Sequence, residues 1–121
     1  MFDRSFIRHS IVAAALVLAA APAFAHSHPV TMTPAPDSVV TAPTEVSIIF
    51  SEDLEPKFSS LKLKDSSGNV VSKQASVLDP KNAKHMTLAL PKLAPGVYTL
   101  EWMSSSTDGH RLSRSYTFTV K

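Results

Sequence analysis

Two stretches carry the residues best suited to do chemistry. His26-Ser27-His28 lies near one end of the chain and Asp108-Gly109-His110 near the other. Cleavage after Ala25 would free the amine of His26, and an amine and an imidazole on one residue can chelate a metal in a small ring. Such an amine ordinarily titrates near about 8 and an imidazole near about 6.5, so both protons are easily displaced at neutral pH. A free amino terminus with histidine in third place can also wrap Cu(II) or Ni(II) in a square plane. That wrap uses the amine, two deprotonated amides and the His28 imidazole. The segment therefore offers two modes, a brace through His26 or a planar wrap ending at His28. Nitrogen ligands of this kind suit Cu(II), which tops the affinity order of the divalent first-row metals.

Asp108 and His110 stand two residues apart, and in extended chain their side chains point to one side. Gly109 lets the backbone between them bend toward a ligand. Taken alone, this tripeptide reads as a turn with an aspartate cap and an exposed histidine. Together with His26 it completes a nitrogen-rich site with one carboxylate. Glu52, in the acidic connection 51–58, is a candidate to add a carboxylate or to hold an imidazole N–H from behind; the plainer reading is a solvated loop acid. His85 lies mid-strand, far from these segments, and reads as a surface strand residue outside the site. Against the metal reading, histidines at a chain end are commonly solvated and disordered.

The elements that must position these residues follow from composition and pattern. With no cysteine among 121 residues, disulfide staples and thiolate metal sites are excluded. Arg4 and Arg8, the apolar run 11–21 and then Ala23-Phe24-Ala25 form a charged start, a short apolar middle and a small-residue cleavage site. That pattern predicts a secretory signal peptide over 1–25, too short for a membrane span, and a mature domain over 26–121. Removing Arg4, Arg8 and Asp3 from twelve cations and ten acids leaves ten against nine, with no basic stripe to draw a nucleic acid. No later stretch could span a membrane.

The domain reads as short strands and turns. Prolines 29, 34, 36 and 43 predict extended, edge-like chain. Alternation marks strands over 44–50, at Leu61 and Leu63, and over 85–90, 97–103 and 112–120, with a weaker one over 70–78. Asp65-Ser66-Ser67-Gly68-Asn69 and Asp79-Pro80-Lys81-Asn82 read as turns. The spacing predicts an all-β sandwich or Greek-key barrel of about seven strands, with Val46, Phe50, Tyr98, Trp102 and Phe118 in the core.

The mature chain resembles the periplasmic copper-binding CopC family, including its YobA-like members. The resemblance rests on Ala23-Phe24-Ala25 before His26, on Thr33-Pro34-Ala35-Pro36, on Phe50-Ser51-Glu52 and on Leu93-Ala94-Pro95-Gly96-Val97-Tyr98. Trp102 with Ser106 nearby, Asp108-Gly109-His110 and the closing Tyr116-Thr117-Phe118-Thr119-Val120 complete it. It implies a cupredoxin-like Greek-key fold and one Cu(II) held by His26, Asp108 and His110, with His28 as a further ligand in some members. It also implies a copper carrier or buffer, and an inner-membrane copper transporter of the CopD type as partner. Some members hold Cu(I) on a methionine cluster. Here Met32, Met86 and Met103 are widely spaced, so no Cu(I) site is expected. Two other functions compete with the carrier. A small copper oxidase or oxygenase could use the same N-terminal chelate, and an Ig-like structural module would bind no metal.

Overall fold

The computed structural model describes residues 26–121; the expected signal peptide lies outside the described residues. Period-two alternation decides the architecture, because it gives each strand one apolar face. On β3 (Glu45–Phe50) the residues Val46, Ile48 and Phe50 point inward and are buried. Met86 and Leu88 do the same on β6 (Asn82–Ala89), as do Leu61 and Leu63 on β4 (Ser60–Lys64). The two longest strands, β7 (Gly96–Ser105) and β8 (Arg111–Val120), supply Tyr98, Leu100, Trp102, Phe118 and Val120. Three shorter strands complete the set: β1 (Pro29–Thr33), β2 (Val39–Val40) and β5 (Val77–Asp79).

Two four-stranded sheets result, ordered β1-β3-β6-β5 and β2-β8-β7-β4. Their apolar faces close on each other as a Greek-key sandwich, with one 3₁₀ turn at Pro56–Phe58. All five residues expected in the core are there. Phe50 meets Trp102 edge to face at 5.7 Å, and Tyr98 stacks on Phe118 at 6.2 Å. Each such buried aromatic contributes about 1.5–3 kcal/mol over an exposed one. Among the described residues no helix is long and apolar enough to cross a membrane.

The structure refines two expectations. Among the described residues there are eight strands, against about seven expected, because the proline-rich stretch yields both β1 and β2. The former is an edge strand on β3; the latter is two residues long and pairs in parallel with β8. The weak strand expected over 70–78 shrinks to β5. Before it, the pairing with β4 is reduced to a Lys64–Val70 bridge and one bond from Val71 N–H to the Leu63 carbonyl. Serine side chains do the rest: Leu63 N–H donates to Ser72 Oγ at 3.3 Å and Leu61 N–H to Ser76 Oγ at 2.9 Å. A hydroxyl satisfies the edge of β4 there as well as a partner strand would.

Strand direction then gathers the chemistry. The start of β1, the end of β3 and the β7–β8 connection all lie at one end of the sandwich. Pro29 pairs with Phe50, and Ser105 pairs with Arg111 across the final turn.

Candidate metal centre

Ser27 anchors this end. It is wholly buried, although its neighbours His26 and His28 are exposed. Its hydroxyl donates to the Glu52 carbonyl at 3.1 Å and accepts from the Glu52 N–H at 3.3 Å. Its carbonyl accepts from the buried Ser104 hydroxyl. A buried polar group left without partners costs about 1–3 kcal/mol, so this set of bonds holds the segment firmly on the sandwich. Ser104 continues the inward-facing series of β7 one step beyond Trp102.

With Ser27 pinned inward, His26 is turned out over the β7–β8 hairpin. Its ring lies 5.3 Å from that of His110, at 75°. The hairpin is closed by Ser106 N–H donating to the His110 carbonyl at 3.0 Å and Gly109 N–H to the Ser106 carbonyl at 2.9 Å. Gly109 has φ 91°, a left-handed value that strains any residue with a Cβ. Asp108 and His110 thus meet across a tight turn, not along extended chain as their spacing suggested. Asp108 Oδ1 lies 3.0 Å from His110 Nδ1 and accepts from the His110 N–H at 3.2 Å. It also accepts from the Ser106 hydroxyl. These bonds, that of Ser106 foremost and those of His110 next, pull the Asp108 carboxyl from 3.8 down to about 2. It is therefore charged at neutral pH.

The other two candidates are placed differently. The His28 N–H donates to Ser51 Oγ at 3.1 Å, and its Nδ1 lies 3.2 Å from the same oxygen. Its carbonyl accepts from Ser51 N–H at 2.9 Å, so His28 extends the β1–β3 pairing by one residue. Glu52 contributes its backbone to Ser27, while its side chain is exposed. Among the described residues no three His, Asp or Glu side chains already converge as a metal cage. The arrangement is two facing imidazoles with one carboxylate turned onto the second.

Reading by ligand type missed the serines. Ser27, Ser51, Ser104 and Ser106 bond the candidates or the segments that carry them, yet none was among the expected ligands. A signal was present: Ser104 occupies a core parity, where a hydroxyl must find a partner.

Comparison with known proteins shows the family. The CopC domain profile matches residues 29–121. Copper resistance protein C of Escherichia coli is 35% identical over 127 residues, covering 97% of this chain and 99% of that protein. Protein YobA of Escherichia coli K12 is 30% identical over 117 residues, covering 95% and 94%. The crystal structure of PcoC, a methionine-rich copper resistance protein from Escherichia coli, superimposes with a TM-score of 0.71 at 32% identity. It covers 79% of this chain and 99% of that one.

Proposed function

This chain belongs to the CopC family, and from that premise we propose that it is a periplasmic copper carrier that holds one Cu(II) at the Ser27-anchored end. The observation that carries the reading is the meeting of the His26 and His110 rings, with Asp108 against His110. The ion is cargo, not a cofactor. His26 and His110 supply imidazoles, the amine of His26 joins them once residues 1–25 are removed, and Asp108 supplies the negative charge. Nitrogen and carboxylate ligands without thiolate favour Cu(II). Against Asp108, His110 donates from Nδ1, and that tautomer leaves Nε2 free for the ion.

The geometry supports the brace through His26 over the planar wrap. The wrap needs the amide nitrogen and Nδ1 of His28, and both face Ser51 Oγ. PcoC is described as methionine rich, whereas this chain has four methionines, one of them in the leader. A carrier of Cu(II) alone is consistent with that difference. The copper would pass to an inner-membrane transporter of the CopD type.

The test is a Cu(II) titration of protein beginning at His26, read by Trp102 fluorescence and copper spin resonance, beside a protein with one residue added ahead of His26. The added residue removes the amine and should abolish tight binding. Equal affinity in the two would overturn the N-terminal site. Reductant-driven substrate oxidation by the copper form would favour an enzyme instead.

A further inference from the structure

On the outward face of the β1-β3-β6-β5 sheet, far from the chain terminus in sequence, three side chains from three strands meet. His85 Nε2 on β6 lies 2.7 Å from Ser47 Oγ on β3. His85 Nδ1 lies 3.5 Å from Asp79 Oδ2 at the end of β5. The other carboxylate oxygen, Oδ1, accepts from the Lys81 N–H at 2.8 Å and is spent on the turn. One nitrogen of the imidazole and one oxygen of the carboxylate are therefore fixed from behind. The remaining two atoms face each other across a gap.

The width of that gap is informative. A direct charge-assisted N–H···O contact closes to about 2.7–2.9 Å, so 3.5 Å is too wide for one. Two ligands on one tetrahedral ion, with bonds of about 2.0–2.2 Å, stand roughly 3.3–3.5 Å apart. A histidine that ligates through one nitrogen typically donates from the other, and Ser47 Oγ is placed to accept. Both side chains are within reach of solvent, at 26% and 38% exposure.

We propose that His85 Nδ1 and Asp79 Oδ2 form a second, weak site for a divalent metal of the Zn(II) type, completed by water. With two protein ligands it exchanges readily. The same order of hydroxyl, imidazole and carboxylate occurs in nucleophilic relays. Ser47, however, sits in a strand paired on both sides, to Thr33 and to Thr87. That leaves no free N–H pair to stabilise an oxyanion.

The experiment is a Zn(II) titration of isotope-labelled protein at neutral pH, following the ring signals of His85 by NMR. Those signals should move saturably. Asp79→Asn and Ser47→Ala should each need at least about tenfold more zinc. His85→Gln should lose the local response while its amide spectrum remains that of the folded chain. Ring signals of His85 that stay fixed up to millimolar zinc would overturn the site. So would an undiminished response in Asp79→Asn. None of these variants touches His26, Asp108 or His110, so the outcome is independent of the copper reading.

Discussion

Asp108 and His110 are joined through one glycine in a hairpin turn, whereas Asp79 and His85 are brought together across the β5–β6 hairpin. Each pair leans on a serine, but from opposite sides. Ser106 donates to the carboxylate of the first pair; Ser47 bonds the imidazole of the second. In the first, the contact is closed at 3.0 Å and the His110 ring stands 5.3 Å from that of His26. In the second, the far nitrogen is occupied and the gap itself is the opening. On the two readings proposed above, the same two residue types would serve as a copper ligand shared with a second histidine in one place, and as a weak two-atom clamp in the other, according to which partner the hydroxyl takes.

The largest expected effect tests that contrast directly. His110→Ala should weaken tight Cu(II) binding by at least about a hundredfold, because an imidazole ligand is lost outright and even a supporting partner is worth 10–100-fold. His85→Ala should leave tight Cu(II) affinity within about twofold. Competition titrations of both variants against a chelator of known strength read this. A matching loss in the two would mean that the two pairs are coupled, and the contrast would fail.

Next in size is the anchor. Ser104→Ala deprives the buried Ser27 carbonyl of its donor and should cost about 1–3 kcal/mol in urea unfolding. Ser47→Ala removes a half-exposed hydroxyl on the sheet face and should cost less than about 1 kcal/mol. Ser104→Ala should also weaken Cu(II), since His26 is positioned through Ser27. A Ser104→Ala protein of normal stability would show that the buried hydroxyl carries no weight.

The third concerns charge. Asp108 is held near 2 chiefly by Ser106, so its folded value lies below its unfolded one. Whatever it adds to stability is present above its ordinary value of 3.8 and fades as pH falls through about 2. On the proposed reading, copper leaves on acidification, mostly below about pH 6, as protons compete for its nitrogen ligands and not through Asp108. Ser106→Ala should move the Asp108 midpoint up toward 3.8, seen in its side-chain carbonyl signal, while copper release near pH 6 stays in place. A midpoint unchanged in Ser106→Ala would put the cause elsewhere.

Legibility followed range. Strands β3, β6, β7 and β8 announce themselves because alternation is local, and Asp108-Gly109-His110 because its three residues are adjacent. The two valines of β2 carry no period to detect, and their parallel partner, β8, lies about eighty residues away. Valines 70, 71 and 77 suggested one strand, but only 77 belongs to one: 70 and 71 meet β4 through a single bridge and one backbone bond, and beyond them the Ser72 and Ser76 hydroxyls take over. Asp79 and His85 lay in plain sight as a turn residue and a strand residue. Only the bulged β5–β6 pairing and the β3 neighbour reveal that they share a face with Ser47.

The smallest expected effect falls on His28, and it separates the two chelation modes. Its amide and ring both address Ser51, and its carbonyl belongs to the β1–β3 pairing. To join a planar wrap, the segment would have to give up these bonds and pull Ser27 from its buried place. Several such bonds, at about 0.5–1.5 kcal/mol each, oppose that rearrangement. His28→Ala should therefore lower Cu(II) affinity by no more than about threefold, which is under 1 kcal/mol. The copper spin-resonance spectrum should keep its form. A collapse of affinity in His28→Ala would establish the wrap, and with it the unfastening of Ser27 on metal binding.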